Sequence, residues 1–517
     1  MIKIFFRKIN RMKFLIPFLL LCGFATAQKT SHQFYTETYR PQIHFSPKQH
    51  WMNDPNGMVF YQSVYHLFFQ YYPDGTVWGP MHWGHATSKD LIHWHQDPIA
   101  LYPDSLGYIF SGSAVIDKTN TSGFGKNGKI PIVAIFTNHD PVGEKEGRNN
   151  YQNQSIAFSL DDGKTWVKYK GNPVLKNPGI KDFRDPKVHW YPPAKKWIMA
   201  LATLDRITFY SSKNLKSWTK ESEFGLHAGA HGGVWECPDI FPLKYNGKTI
   251  WVLIVSINPG GPNGGSATQY FTGTFNGKTF TPFDTDTKWI DYGPDDYAGV
   301  TWSNTGERKI FLGWMSNWQY ATVVPTKMWR SAMTVPRDLG LEKIGGKYYV
   351  TSKPVKELNE LNVSDMKLQS LKAGHFDLTS KTGQLSLPAR IKFSSERIED
   401  FSITLSNSNH EKLIIGYNEE TNNYYIDRSS SGKTAFEKDF SAKLTAKRLS
   451  DSRKMDMILI IDKASIEMFA DKGLTNMTAI FFPNRTYSNI LFDSENFEIK
   501  ELQFDKMKSI WKRNQND

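Results

Sequence analysis

Ser88-Lys89-Asp90-Leu91-Ile92-His93-Trp94 reads as a tight polar turn ending on an aromatic side chain. The design returns as Ser159-Leu160-Asp161-Asp162-Gly163-Lys164-Thr165-Trp166 and as Ser212-Lys213-Asn214-Leu215-Lys216-Ser217-Trp218. A degenerate copy is Phe275-Asn276-Gly277-Lys278-Thr279-Phe280. Asp, Asn and Gly favour such turns because they bond nearby backbone or enter left-handed conformations. The closing aromatic can plug between two sheets. Successive aromatics lie 52 to 72 residues apart, room for one four-stranded blade plus loops each time. Four copies and a closing unit predict a five-bladed β-propeller, with a β-sandwich bearing coincidental hairpins as the competing reading.

The stretches between these turns agree with an all-β chain. Short β-branched and aromatic runs such as Ile132-Val133-Ala134-Ile135-Phe136 and Ile250-Trp251-Val252-Leu253-Ile254-Val255 are cut by Gly, Asn, Asp and Pro. Residues 28–350 are expected to form the propeller. Residues 351–370 show no strand signal and read as a short helix or linker. From residue 371 to 517 alternation resumes, as in Phe401-Ser402-Ile403-Thr404-Leu405, and predicts a separate β-sandwich.

The first 27 residues read as a signal peptide. Five basic residues open the chain, Phe14 to Phe24 is apolar, and Ala25-Thr26-Ala27 is a small-residue cleavage signal. Met12 is an alternative start. The apolar run is too short to span a membrane, and no later stretch qualifies. The expectation is an exported protein, periplasmic or secreted. Lipoprotein anchoring through Cys22 is the lesser reading, because bulky Leu21 precedes it. Net charge is +12 for the whole chain and +7 once the leader is removed. No basic cluster interleaved with aromatics stands out, so nucleic acid is not an expected partner. Cleavage leaves Cys237 alone, which excludes a disulfide within the mature chain.

Five polar motifs alternate with the hairpin aromatics. Trp51-Met52-Asn53-Asp54-Pro55-Asn56-Gly57 holds an Asp between turn formers, and in isolation it reads better as an Asx-turn. Phe110-Ser111-Gly112-Ser113 follows. Phe183-Arg184-Asp185-Pro186-Lys187 pairs a carboxylate with a guanidinium, a pattern that alone suits a surface ion pair. Trp235-Glu236-Cys237-Pro238-Asp239 places a Glu where burial is expected, the setting of a general acid, although a strand-edge Glu fits equally. Asp295-Asp296-Tyr297-Ala298-Gly299 completes the set. One motif opens each expected blade. The first strand of a propeller blade lines the axis, so the five should converge at one end of a funnel.

In these motifs the chain resembles glycoside hydrolase family 32, the invertase, inulinase and levanase group, over about residues 40 to 510. Trp-Met-Asn-Asp-Pro-Asn-Gly, Arg-Asp-Pro and Glu-Cys-Pro occur in the family's order. Ile461-Asp462-Lys463-Ala464-Ser465-Ile466-Glu467-Met468-Phe469 resembles its sandwich signature. The resemblance implies a propeller plus sandwich and retaining hydrolysis of β-fructofuranosyl linkages. It assigns Asp54 as nucleophile, Glu236 as acid/base and Asp185 as transition-state stabiliser. Asn53, Gln70, Trp78, Phe110, Ser113 and Arg184 match fructose-subsite positions. Asp295, from the fifth motif, and Trp318 are further substrate-binding candidates. Asp295-Asp296-Tyr297-Ala298, where many members carry Asp-Phe-Tyr-Ala, resembles the levanase and exo-inulinase branch, as does Gly313-Trp314-Met315-Ser316-Asn317-Trp318-Gln319-Tyr320.

The chemistry implied needs two carboxylates and no metal or cofactor. His227 and His231 have ligand-like spacing, but Ala228-Gly229-Ala230 between them reads as a loop. The expected partner is a fructan or fructo-oligosaccharide. A sucrose-preferring invertase, an endo-levanase, an arabinan-type propeller and an inactive sugar-binding protein are the alternatives. β-2,1 or β-2,6 preference and oligomeric state are not legible.

Overall fold

The computed structural model describes residues 34–511, residue 373 excepted. The leader expected over residues 1–27 lies outside the described residues, as does the end of the chain from residue 512. The described residues form a five-bladed β-propeller followed by a β-sandwich. Each blade begins with an axial strand: His50–Tyr61, Tyr108–Ile116, Phe183–Tyr191, Val234–Tyr245 and Tyr297–Thr301. Antiparallel neighbours then step outward from it. The ring closes where Trp329–Arg330 pairs in parallel with the start of the first axial strand.

The repeated turns are the outermost hairpins of the first four blades, and they share a bonding scheme. Asp90 Oδ1 accepts from the Ile92 and His93 N–H groups, and Asn214 Oδ1 accepts from Lys216 and Ser217. Asn276 Oδ1 does the same for Lys278 and Thr279. Leu91, Leu215 and Gly277 supply the left-handed residue that reverses the chain. The indole N–H of Trp94, Trp166 and Trp218 donates back to the turn, at 3.0, 3.0 and 3.2 Å. This locks each ring in place as a wedge against a neighbouring blade. Trp94 meets Trp302 of the fifth blade, Trp166 meets Phe68 of the first, and Phe280 meets Phe224 of the third. In the fifth blade Gly345-Gly346, both at positive φ, make the corresponding turn, and Tyr348 just after it packs on Tyr245 and Phe283 of the fourth blade.

Residues 351–370 are a correction. They carry the end of strand Lys347–Pro354, a 3-10 turn over Lys356–Leu361 and most of strand Asn362–Leu371. The last is a solvent-facing edge strand paired only with Ile499–Met507, and its polar residues are those an edge uses against aggregation. Met366, Leu368 and Leu371 still pack on the sandwich core. That core lies between two six-stranded sheets and is built from Ile391, Phe393, Leu405, Leu459, Phe492 and their neighbours.

Propeller and sandwich meet through buried charge. His44, ahead of the first blade, lies 2.8 Å from both Asp462 and Glu467 of the sandwich. Burial alone would lower its pKa, but the two carboxylates push it up to about 9. Asp462 also accepts the backbone N–H groups of Gln42 and Ile43. On the far side Arg337 of the fifth blade reaches Glu467, Asp291 and Asp296. Such a network is costly to desolvate and costlier to break, because any deletion strands a buried charge.

Candidate active site

All five motifs sit on the axial strands, and each strand is irregular there. Register shifts fall between Met52 and Pro55, Ile109 and Gly112, Glu236 and Asp239, Tyr297 and Val300, and opposite Arg184 to Lys187. Asp185, Cys237 and Ala298 have positive φ at these bulges. A bulge breaks strict alternation and re-aims side chains, here toward the axis. Gly57 is required beside the first bulge. Its φ is +51°, and a Cβ would stand 2.7 Å from the rings of Phe68 and Trp83.

Asp54 is built from its own motif outward. The Trp51 indole N–H donates to Asn53 Oδ1 at 2.7 Å, which turns the Asn53 amide to donate to Asp54 Oδ1 at 2.9 Å. Ser111 donates to the other oxygen at 2.6 Å. Burial raises the Asp54 pKa, and these bonds oppose the rise. Asp185 accepts the Cys237 N–H at 3.0 Å. Burial pushes it up to about 7; Arg184 pulls the other way, while Glu236 and Asp54 add to the rise. The Cys237 thiol lies 3.5 Å from Asp54 and 3.6 Å from Asp185, and burial among these carboxylates keeps it a neutral donor.

Glu236 has a different environment. Arg184 donates to its Oε1 from two nitrogens, at 3.1 and 2.9 Å, and the Tyr297 hydroxyl donates to Oε2. Arg184 is itself held by Asp182 at 2.6 Å. The burial expected from Trp235 does not occur. Strand alternation turns that indole away, where it donates to Ala230 O and stacks on His231. His231 is also 3.1 Å from Asp205.

These groups line a cavity of about 280 Å³. Asn53, Asp54, Gln70, Trp78, Phe110, Arg184, Asp185, Glu236 and Trp318 all face it. The Gln70 side-chain NH₂ is buried without a partner, a donor available to a sugar hydroxyl. Trp78, 39% exposed, stands edge-on to Phe110 at the rim, and Phe110 stacks on His139 at 4.2 Å. Trp318 stacks on Trp51 from the opposite wall.

Two candidates fall elsewhere. Ser113 is buried between the second and third blades, donating to Pro186 O at 2.8 Å and accepting the Val188 N–H at 3.0 Å. The bulge before Gly112 hands the site to Ser111 instead. Asp295 does not reach the cavity either. It is fully buried against the sandwich, accepting from Tyr320 Oη at 2.7 Å and from Arg428 at 2.9 Å. The sequence reading also missed Ser111 and, behind the pocket, Tyr297 that donates to Glu236, together with the lining residues His139, Glu144, Tyr151, Gln152 and Asp182. The first two stood inside quoted motifs. Tyr151, Gln152 and Asp182 carried no signal of their own.

A propeller whose axial mouth gathers three carboxylates among aromatics and unpaired donors, with a sandwich behind it, defines a glycoside hydrolase. Its sequence matches the glycosyl hydrolases family 32 N-terminal domain over residues 44–354 and the family's C-terminal domain over residues 351–507. The chain belongs to glycosyl hydrolase family 32. It is 45% identical to a levanase of Bacillus subtilis, over 96% of this chain and 75% of that one. It is 41% identical to an extracellular exo-inulinase of Aspergillus niger, over 88% and 91% of the two chains. The exo-inulinase structure of Aspergillus awamori superposes with a TM-score of 0.84 at 36% identity, over 92% and 100% of the two chains. A β-fructofuranosidase of Schwanniomyces occidentalis in complex with fructosyl-erythritol gives 0.84 at 33%, over 92% and 99%.

Proposed function

We propose that this protein is a retaining exo-β-fructosidase that removes terminal fructofuranosyl groups from fructans and fructo-oligosaccharides, and also from sucrose. The observation that carries the reading is the convergence of Asp54, Asp185 and Glu236, from three different blades, on one small pocket. Asp54 is fixed by neutral donors, Asn53 and Ser111, while Glu236 is met by Arg184 and the Tyr297 hydroxyl. Asp54 attacks the anomeric carbon as the protonated Glu236 gives its proton to the leaving oxygen. Glu236 then takes a proton from water, which opens the fructosyl–Asp54 ester and restores both groups. As the ring flattens toward an oxocarbenium ion, Asp185 binds its hydroxyls. Arg184 orients Glu236 and spans it to Asp182.

The exo reading rests on shape. The pocket lies at the end of an axial funnel, walled by Trp78, Phe110 and Trp318, and its size suits one sugar. Residues 28–350 carry the catalysis, and the sandwich begins at strand Asn362–Leu371. The leader over residues 1–27 directs export, as the extracellular relatives suggest. A time course on levan, inulin and sucrose tests the whole reading. Free fructose alone at low conversion supports it. Early oligosaccharides with a rapid fall in polymer size would make the enzyme an endo-levanase, and binding without hydrolysis would make it a sugar-binding protein.

A further inference from the structure

The sandwich sends one side chain into the propeller beside the active site. Arg428 is fully buried and makes contacts on every side. Its Nε donates to Phe440 O at 2.7 Å, and its guanidinium lies 3.9 Å from the Phe440 ring centroid. One terminal nitrogen donates to Asp295 at 2.9 Å and to Ile480 O at 3.3 Å, and the other to Tyr320 Oη at 3.2 Å. Tyr320 donates to the second oxygen of Asp295 at 2.7 Å, closing a three-membered cluster.

Its two side-chain partners, Asp295 and Tyr320, each lie two residues from a residue of the site. Asp295 precedes Tyr297, the donor to Glu236. Tyr320 follows Trp318, the pocket wall. The connecting segments are stiff. Asn317 donates to Pro294 O at 2.9 Å, and its backbone carbonyl accepts the Tyr320 and Ala321 N–H groups. The Trp318 N–H donates to Ser266 Oγ. The turn bearing Trp318 is therefore pinned at Asn317 from within the propeller and at Tyr320 from the sandwich. A guanidinium suits this post because its planar fork bonds a carboxylate and a phenol at once and stays charged when buried.

We propose that Arg428 is a positioning residue for substrate binding: the sandwich, through the Arg428–Asp295–Tyr320 cluster, holds Trp318 in place against the substrate. This rests on the pocket being the fructosyl site. The sandwich then takes part in substrate binding without touching substrate.

The test is steady-state kinetics on a short fructo-oligosaccharide, normalised to folded enzyme. Arg428→Gln strands the Asp295 charge, so Arg428→Gln/Asp295→Asn serves as the charge-neutral variant that retains the fold. The double variant should raise KM about 5- to 20-fold, weaken product inhibition by fructose in parallel and alter tryptophan fluorescence quenching by fructose. Its kcat should fall less than about threefold. Arg428→Lys, which restores one charged donor, should recover part of the KM. A lower melting temperature with KM and fructose inhibition at parental values overturns the proposal and leaves Arg428 a purely structural clamp. Failure of the parent enzyme to hydrolyse any fructan would instead overturn the functional reading on which it stands.

Discussion

Replacing Asp185 with asparagine tests what it costs the fold to crowd three carboxylates at one pocket floor. Burial is the largest influence on Asp185, and with Glu236 and Asp54 it outweighs the attraction of Arg184 to push the group up to about 7. In the unfolded chain the same carboxyl titrates near about 3.9. The folded state thus holds the proton more tightly. Its stabilisation is complete below the unfolded pKa and is lost as pH rises through the folded one. A gap of about three units corresponds to about 4 kcal/mol, reached above pH ~7 and absent below pH ~4. Asparagine retains the oxygen that accepts the Cys237 N–H and never ionises. Glu236 and Asp54 remain mutually repulsive in the variant, so the expected gain at pH 8 is about 2–4 kcal/mol. Unfolding entropy of about 2 cal/mol/K per residue makes 1 kcal/mol worth about 1 °C in a chain of 517 residues. Differential scanning calorimetry should therefore show Asp185→Asn melting about 2–4 °C above the parent at pH 8, with the gap closing toward pH 4. Equal melting temperatures at both pH values, or a variant less stable at pH 8, would refute the reasoning.

Asp54→Asn should lower kcat by about a thousandfold or more with the melting profile preserved, since an amide replaces the nucleophile; near-parental turnover would remove Asp54 from the mechanism. Glu236→Ala should slow substrates with poor leaving groups far more than aryl fructosides with good ones, and equal losses on both would count against the acid role. Ser111→Ala, which deletes a 2.6 Å donor to Asp54, should reduce kcat about 10- to 100-fold, whereas Ser113→Ala should cost about 1–2 kcal/mol of stability and little activity. The reverse pattern would put Ser113 back in the site. Activity should persist in excess EDTA, and loss restored by added metal would show the site description incomplete.

Much of this was legible because the propeller repeats its local chemistry. The Asx turns at Asp90, Asn214 and Asn276 and the wedge at Trp94, Trp166 and Trp218 are written in short strings, and the turn bonds recur in the first, third and fourth blades and the indole bond in the first three. The site was legible as a set of motifs and less so as a set of side chains. Ser113 matches a site position by resemblance, yet a bulge breaks the alternation there, so the successive residues Phe110 and Ser111 both face the pocket and Ser113 turns into the seam with the third blade. The motif places Glu236 beside Trp235 in sequence, but alternation sends the indole to the opposite face. Asp295 stands in a site motif yet answers to Arg428, 133 residues away, a partner no local pattern announces. The edge strand Asn362–Leu371 escaped notice because its outward face is polar and only Met366, Leu368 and Leu371 report its inward side.

The charge lock around His44 also bears on the order in which a ribosome delivers the chain. Gln42 and Ile43 donate their amides to Asp462, and His44 sits against Glu467, 423 positions later. Until those residues emerge, the nascent first blade carries an unmatched imidazole and unmatched amides at a place destined to be dry, and Arg337 waits for the same glutamate. The charge lock at His44 and Arg337 is complete only once the sandwich is in place. Long loop closure of this kind is slow. The last fastening of the propeller is therefore supplied by the sandwich, through Asp462 and Glu467.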